Sequence, residues 1–393
     1  MKHSNLSYKV LKLLYNKIMT SCYYIMRFFK VKDNKIVISS YFGRGYGGNS
    51  KYIVSSLFQQ NVNYDIVWLV QDTKEEMPIG IRTVKYNSIK AIYELVTARL
   101  WIDNARKAEY VRKRKKQFYI QTWHGCLALK KIEKDAEKAL PKYYIKSAIQ
   151  DSKMANLMVS NSKFCTNLYK NSFWYNGKII ECGSPRNDII VNYDEKSKKV
   201  IKGKFNIDNN IKVVLYAPTF RKNKNLDIYD VNYKKLTEVL NKKFGGGWCV
   251  MVRLHPGIAE KSNFINYNDY VLNASNYSDM QELLTISDIL ITDYSSSMFD
   301  FMLTKKPIFL YSSDMDDYIK DRDFYFDYYN LPFSIATNNV ELGNNILSYN
   351  EKDYIGKVKS FIKENEIKEN GNASVIIADI IKRVIIERNG ELK

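Results

Sequence analysis

A histidine and a glycine stand together where a predicted strand ends. Residues 117–123 form an apolar run typical of a buried strand, and His124 and Gly125 follow it. A histidine in that place can act as a general base, since its ordinary pKa is near neutral, and Gly125 lets the backbone approach a ligand on the acceptor side. The structural alternative is a strand-end histidine bonded to the backbone. We predict that His124 is the catalytic base.

A second histidine follows another predicted strand, residues 248–254. Arg253 and His255 are two positions apart, so the period of a strand places them on one side of it. Their side chains would then aim positive charge at one place, which suits a diphosphate, and His255 is a second catalytic candidate. The alternative is a capped strand with a surface arginine.

Three serines follow the hydrophobic strand predicted over residues 288–292, just after Asp293. A strand that runs into Ser295, Ser296 and a helical period would offer hydroxyl and backbone N–H groups to an anion. A single serine would suffice to cap a helix, which is the simpler interpretation. Three in a row favour contact of Ser295 and Ser296 with phosphate.

Two weaker segments also follow predicted strands. The glycine-rich stretch 41–49 contains Tyr46 and Asn49 but lacks the GxGxxG spacing of a dinucleotide loop. It is interpreted as an acceptor contact or as a plain turn. Thr219 and Arg221 could reach a phosphate or a base, although a simple exit from the preceding strand explains them nearly as well.

Short apolar runs that alternate with polar helical stretches must position these residues. The predicted strands are residues 35–41, 64–70, 82–86, 99–103, 117–123, 155–160, 178–181, 212–217, 248–254, 270–273, 288–292 and 307–311. Such alternation implies βαβ units, and therefore two doubly wound α/β domains that face a cleft and bind ligands beyond the carboxyl ends of their strands.

The domain limits follow from a change of composition. Residues 192–210 are rich in Lys, Asp and Asn without an apolar period, which is typical of a boundary. We predict an acceptor-side domain with the base over residues 35–195. The donor-binding domain is predicted over residues 196–393, and its basic C-terminal helix begins near residue 353.

Composition restricts the possible partners. The 393 residues carry a net charge of +19, which suits nucleic acid, an acidic membrane surface or a polyphosphate. No RRM or helix-turn-helix pattern accompanies the charge, so nucleic acid is not a predicted partner. The five cysteines form no CxxC pair and are interpreted as reduced and cytosolic. The three histidines lie far apart, so no metal site is predicted.

The first 34 residues are basic and amphipathic. Leucines and valine at helical spacing precede a cluster of aromatic residues, and the longest uncharged run, 18–26, is too short to span a bilayer. We predict that residues 1–34 form a helix that lies on an anionic membrane surface. The alternative is an ordinary helix that packs on the protein. A basic run at 106–116 is either a solvated loop or a further contact with lipid phosphates.

These motifs, in this order, resemble those of the CDP-glycerol glycerophosphotransferases of teichoic acid and capsule synthesis. The matching residues are Trp123, His124 and Gly125; Leu129, Lys130 and Lys131; 183–188; 216–221; Arg253, His255 and Pro256; 292–296; Phe299 and Asp300; and Gly45, Tyr46, Asn49 and Lys51. The resemblance extends from about residue 35 to 332. One departure is Cys126, Leu127 and Ala128 where the family often has Thr-Pro.

The resemblance implies the GT-B architecture, no metal or cofactor, and a peripheral position at the cytoplasmic face of the membrane. The implied reaction is attack by a hydroxyl of a lipid-linked saccharide or polyol-phosphate polymer on the glycerol-bearing phosphorus of CDP-glycerol, with CMP leaving. His124 would be the base. The implied donor-binding residues are Arg253, His255, Ser295 and Ser296, with Asp293 or Asp300 orienting them.

Three questions stay open at this point. Ribitol phosphate from CDP-ribitol could replace glycerol phosphate, and a GT-B glycosyltransferase with a nucleotide sugar is a second alternative. The acceptor could receive one unit or many. Assembly into an oligomer is possible.

Overall fold

The structure is a computed structural model that describes residues 2–125, 127–221, 229–255, 258, 265–315, 318 and 323–386. The chain divides into two compact domains. The first domain comprises residues 1–124, 132–186 and 372–393, and the second comprises residues 125–131 and 187–371.

The first domain is built on a seven-stranded parallel sheet in the order β3-β2-β1-β4-β5-β6-β7. Its strands are β1 (Lys32–Ser39), β2 (Asp65–Val70), β3 (Ile81–Lys85), β4 (Ala98–Asp103), β5 (Phe118–Gln121), β6 (Leu157–Ser160) and β7 (Lys178–Glu181). The central strands are apolar on both faces because helices cover both sides. The direction of strand addition reverses between β1 and β4, which is where ligands bind in such sheets.

Serine side chains cap the amino ends of helices in this domain. Ser88 accepts from the Ala91 amide and Ser162 from the Cys165 amide, which satisfies donors that a helix start leaves unpaired. The helices are α1 (Lys2–Ile25), α2 (Gly48–Phe58), α3 (Ile89–Thr97), α4 (Lys142–Met154), α5 (Lys163–Ser172) and, at the end of the chain, α13 (Ala373–Ile386). Short 3-10 helices occupy Met26–Phe28, Glu133–Ala139 and Pro185–Asn187.

The second domain contains a six-stranded parallel sheet in the order β10-β9-β8-β11-β12-β13. Its strands are β8 (Lys212–Ala217), β9 (Trp248–Val252), β10 (Val271–Asn273), β11 (Ile289–Thr292), β12 (Ile308–Tyr311) and β13 (Ser334–Ala336). Its helices are α6 (Asp188–Val191), α7 (Glu195–Gly203), α8 (Tyr233–Phe244), α9 (Met280–Ile286), α10 (Ser297–Phe301), α11 (Asn339–Ser348) and α12 (Glu351–Glu364), with 3-10 helices at Met302–Thr304 and Tyr328–Asn330.

The predicted α/β class is confirmed, since both sheets are parallel and carry crossover helices. Several strands are shorter than predicted. In particular, β5 ends at Gln121 and β9 at Val252, so His124, Arg253 and His255 lie in loops beyond their strands. The three-residue strand β13 had no clear sequence pattern. The supposed boundary at 192–210 contains α7, which Asp194 caps through the Ser197 amide.

The end of the chain differs most from the sequence-based division. The predicted single C-terminal helix is two helices, and α13 packs in the core of the first domain instead of the second. Ile377 and Ile381 are fully buried there, and Arg99 donates to the Val384 carbonyl. The end of the chain belongs to the first domain because the apolar face of α13 covers the first sheet, and the division in the middle of the chain lies between residues 186 and 187.

Helix α1 packs on the first domain through Met19 and Tyr23, which are buried next to α3. Much of its remaining apolar surface, including Leu11, Ile18 and Ile25, is exposed. Within the described part of the chain, none of the helices combines the length and the apolar character that crossing a bilayer requires. The four cysteines that the structure describes are free thiols, while Cys126 lies outside the described residues.

Candidate active site

The side chain of His124 is fixed by a backbone carbonyl. Its Nδ1 atom lies 2.8 Å from the carbonyl oxygen of Asn104, the residue that follows β4. A carbonyl can only accept, so Nδ1 carries the proton in the neutral ring and Nε2 keeps its lone pair. The bond to the backbone and the role of general base, which the sequence presented as alternatives, are therefore compatible in one tautomer.

The imidazole lies against the indole of Trp123, with the two ring centroids 4.3 Å apart. Trp123 has a φ of 53°, a left-handed conformation that is uncommon for a bulky residue and is typical of strained functional sites. Desolvation lowers the pKa of His124, and the charge of Arg186 acts in the same direction, opposed by the bond to Asn104. The lowered pKa favours the neutral form of His124 near pH 7.

Asn49, predicted to contact the acceptor, is buried and serves the backbone instead. Its Nδ2 donates to the Trp123 carbonyl at 3.0 Å and to the Thr122 carbonyl at 3.4 Å, and its Oδ1 accepts from the Arg186 amide at 3.0 Å. Arg186 in turn donates through its guanidinium to the carbonyl of His124. Asn49 and Arg186 thus hold the histidine segment from two sides.

Tyr46 also has a structural position. Its ring packs on Trp68 with the centroids 4.9 Å apart, and it is partly buried against the hydrophobic core of the first domain. Another residue of the glycine-rich stretch, Tyr41, has its ring centroid 6.0 Å from that of the imidazole. Gly125 begins the segment 125–131, which belongs to the second domain, where Leu127 is fully buried.

A cluster of buried ion pairs lies next to Trp123 of the histidine segment. The Arg106 guanidinium pairs with Glu133 at 2.7 Å and with Asp151 at 3.1 Å, and it lies 5.4 Å from the Trp123 ring centroid. Lys107 pairs with Asp103 at 2.7 Å. Arg106 and Lys107, the first two residues of the predicted basic run, therefore form ion pairs in the protein interior and are not part of a solvated loop.

The second set of predicted residues follows β8, β9 and β11, which are neighbours in the second sheet. Arg253 donates from its backbone to the Tyr216 carbonyl at 2.9 Å and from its guanidinium to the Tyr277 carbonyl. His255 is exposed, with its ring 5.6 Å from that of Phe220. Both residues therefore lie at the carboxyl edge of the sheet, as predicted. Pro256 is outside the described residues.

Arg221, predicted to reach a phosphate or a base, bonds protein groups in this structure. Its guanidinium bonds Asp293 at 2.8 Å, Asp314 at 2.6 and 3.0 Å, and the carbonyl and hydroxyl of Thr219 at 2.8 and 2.6 Å. These contacts use all five N–H donors of an arginine. Asp293 also accepts from the Thr219 amide at 2.9 Å. Thr219, Arg221 and Asp293 therefore brace the loops beyond β8 and β11.

The serine loop keeps its predicted place after β11. Ser295 and Ser296 are half-buried, and the Ser295 hydroxyl lies 2.8 Å from that of Ser297. The helix that follows, α10, has only five residues, so the hydroxyl groups and not a long helix dipole are what the loop can offer to an anion. Asp300 is buried and accepts from Asn187 and Gln281 at 3.1 Å each, which makes it a structural residue.

Three contributors were not singled out as site residues: Asn104, Arg186 and Asp314. Arg186 belongs to the segment 183–188 that carried the family resemblance, and this was the available signal. Asn104 acts through its backbone carbonyl and Asp314 pairs with a residue 93 positions away. Neither relationship has a local pattern in the sequence.

A family model described as CDP-glycerol:poly(glycerophosphate) glycerophosphotransferase matches residues 21–383. The teichoic acid poly(glycerol phosphate) polymerase of Staphylococcus epidermidis is 32% identical over 374 residues, which cover 91% of this chain and 52% of the relative. The chain thus spans about half the length of that protein. The teichoic acid glycerol-phosphate transferase of Staphylococcus aureus is 29% identical over 364 residues, covering 88% of this chain and 92% of the relative.

Among solved structures, that of the wall teichoic acid polymerase TagF is similar with a TM-score of 0.84 and 30% sequence identity. The match covers 98% of this chain and 99% of the TagF chain. This likeness confirms the predicted GT-B-like fold class. The chain belongs to the CDP-glycerol:poly(glycerophosphate) glycerophosphotransferase family.

Proposed function

We propose that the chain transfers glycerol phosphate from CDP-glycerol to a hydroxyl group of a lipid-linked acceptor and releases CMP. The observation that carries the proposal, together with family membership, is the bond from His124 Nδ1 to the Asn104 carbonyl. It leaves the Nε2 lone pair for the proton of the acceptor hydroxyl. Independence of metals and cofactors is part of the same proposal.

The proposed reaction needs a single base, His124. Nε2 of His124 takes the proton from the acceptor hydroxyl as its oxygen attacks the phosphorus that bears glycerol. A new P–O bond forms, the P–O bond to the bridging diphosphate oxygen breaks, and CMP leaves with that electron pair. The glycerol phosphate remains on the acceptor as a phosphodiester.

The second domain supplies the donor site in this proposal. Arg253, His255, Ser295 and Ser296 provide the cation and hydroxyl groups that suit a diphosphate. They follow β9 and β11, which flank β8, and so lie at one sheet edge. The Arg221–Asp293 pair fixes the loops between them. We assign Arg253 to charge neutralisation and the two serines to hydrogen bonds with phosphate oxygens.

The test is the release of CMP from CDP-glycerol in the presence of vesicles that contain the lipid-linked acceptor, with mass spectrometry of the product. His124→Ala should lose the activity while Lys196→Ala, a change at an exposed position of α7, should keep it. CDP-ribitol and nucleotide sugars serve as competing donors. Preference for either one over CDP-glycerol would contradict the proposal and support the corresponding alternative.

We also propose that the first domain lies on an anionic membrane through α1 and the turn after it. Leu11, Leu14, Ile18 and Ile25 recur at helical spacing and are exposed, and Phe28 is 91% exposed. Such a stripe beside lysines is the pattern of an interfacial helix.

The basic run at 106–116 borders this surface, because the Arg114 guanidinium donates to the Phe29 carbonyl at 2.8 Å. Its exposed members Lys115 and Lys116 can then reach lipid phosphates together with Lys17 and Lys30 of the N-terminal segment. Co-sedimentation with phosphatidylglycerol vesicles should exceed that with phosphatidylcholine vesicles and should fall in Ile18→Asp/Ile25→Asp. Equal binding to both kinds of vesicle, or no loss in the double variant, would contradict the membrane proposal.

A further inference from the structure

An open cavity of about 410 Å³ lies beside the histidine segment of the first domain. It occupies the loops beyond the carboxyl ends of β1, β2, β3 and β4, at the place where the strand order reverses. Its volume is in the range usual for small-molecule sites. None of the roles proposed above uses it.

Aromatic rings form much of its wall. Phe42 comes from the loop after β1, Tyr86 from the loop after β3, and Tyr143 and Tyr144 from the start of α4. Phe42 and Tyr143 are 44% and 59% exposed, so large apolar ring faces are open to a ligand. Flat rings of this kind suit the C–H face of another ring.

The polar groups of the cavity are both neutral and cationic. Gln71, Asn87 and Ser147 contribute amide and hydroxyl groups. The Asn87 side-chain oxygen accepts from the Tyr110 hydroxyl at 2.7 Å, so its NH₂ group is what it offers to a ligand. The two buried cations at the cavity, Arg106 and Lys107, are already neutralised by carboxylates. Lys85 contributes an exposed ammonium group to the wall, and an acyl chain would leave this charge and the amides without partners.

The Phe42 ring is held in the cavity at the cost of backbone strain. Tyr41, Phe42 and Gly43 have φ values of 46°, 63° and 82°, a run of left-handed residues of which only the glycine adopts that conformation easily. The Phe42 carbonyl accepts from the Gln71 side chain at 3.0 Å, which fixes the loop on the cavity wall. Strain that the surrounding structure maintains at an exposed aromatic residue is typical of a binding site.

Residues of the cavity wall adjoin both the loop that contacts His124 and helix α1. On one side, Phe42 adjoins Tyr41, whose ring lies next to that of His124. On the other side, the Lys12 ammonium group is 3.9 Å from the Tyr143 ring centroid, and the Tyr15 hydroxyl donates to the Asn87 carbonyl at 3.3 Å.

We infer that the cavity binds a sugar residue of the lipid-linked acceptor, an assignment that rests on the proposed function. A sugar ring has an apolar C–H face for the aromatic wall and hydroxyl edges for Gln71, Asn87 and Ser147. The proposal distinguishes a saccharide-bearing acceptor from one made of polyol phosphate alone.

Saturation-transfer NMR with the full chain tests binding directly, with glucose, N-acetylglucosamine and their β-linked disaccharides as probes and glycerol 3-phosphate as the sugar-free probe. At least one saccharide should bind. Phe42→Gly and Tyr143→Ala should each weaken its Kd about tenfold, while Tyr143→Phe and the control Tyr270→Ala, at the amino end of β10, should not. The melting temperature of Phe42→Gly should not fall, since glycine relieves the left-handed strain.

Absence of saccharide binding, stronger binding of glycerol 3-phosphate, or unchanged affinity in both cavity variants would overturn the assignment. CMP release from CDP-glycerol is measured in parallel on the same preparations. A chain that binds saccharides but never releases CMP would contradict the proposed reaction and not the cavity. A chain that releases CMP with unaltered kcat/KM for a sugar-bearing acceptor in Phe42→Gly would contradict the cavity alone.

Discussion

The Nδ1 atom of His124 donates its proton to the carbonyl oxygen of Asn104 across 2.8 Å. Many catalytic histidines are oriented by a carboxylate, whereas a neutral carbonyl orients this one. A carbonyl fixes the tautomer without adding a full negative charge, and its bond raises the pKa of the ring less than desolvation lowers it. The histidine is therefore set up as a neutral base with Nε2 as its proton acceptor.

The pH dependence of the reaction should reflect this environment. Desolvation and the Arg186 charge lower the pKa of His124 below 6.5, so the base form persists to a lower pH than in an ordinary histidine. The acid limb of kcat/KM for CMP release should lie below about pH 6.5. An acid limb above that value would show that the ring is not in this environment.

Removal of the Arg186 charge should move the acid limb. Arg186 is buried, donates to the His124 carbonyl and lowers the pKa of its ring. Arg186→Gln should therefore shift the acid limb to higher pH, whereas Arg186→Lys keeps the charge and should shift it less. Identical pH profiles for the two variants would exclude this electrostatic coupling.

Asn49→Ala should reduce kcat more than it raises KM for CDP-glycerol. The change leaves the Arg186 amide without its buried acceptor, and such a loss costs about 1–3 kcal/mol of stability. It also removes one donor to the Trp123 carbonyl, which keeps the Thr122 hydroxyl. The histidine segment would then lose its position while the donor site in the second domain is untouched. Steady-state kinetics and urea unfolding check both effects, with the exposed Asn63→Ala as a control. A change confined to KM would contradict a positioning role.

Arg221→Ala should be among the most destabilising single changes in the second domain. It leaves the buried Asp293 and the nearby Asp314 without their common cation, for which the expected loss is about 3–5 kcal/mol in the free energy of unfolding. Thermal and urea unfolding measure it against Arg383→Ala, an exposed arginine of α13. If Arg221→Ala left stability unchanged and raised only the Kd of CDP-glycerol, direct phosphate contact would be the better interpretation.

The strands and the fold class could be predicted because their signals are local. Buried parallel strands are continuous apolar runs, and β7 and β8 have the predicted limits. The destination of α13 could not be predicted in the same way. Its apolar face identifies a helix, but the sheet that it covers lies about 270 residues earlier in the chain, as the contact of Val384 with Arg99 illustrates.

The position of the site residues could be predicted from the sequence, but their contact partners could not. His124, Arg253, His255 and the serines follow strands, and chain position alone indicates the sheet edge that bears ligands. Asn49 and Arg221 have side chains suited to ligand binding, but the partners that occupy them, the Trp123 carbonyl and Asp314, come from distant segments. Polar residues beyond a strand can bind a ligand or brace a loop, and only tertiary contacts distinguish these roles.

The most direct test of the central claim is chemical rescue of His124→Ala. We expect the variant to be folded, to bind CDP-glycerol and to release CMP about 10²–10⁴-fold more slowly than the wild type. Added imidazole should restore part of the rate in proportion to its neutral form, since a free ring can enter the vacated place and accept the proton. Wild-type CMP release by His124→Ala without imidazole would contradict the assignment of His124 as the base.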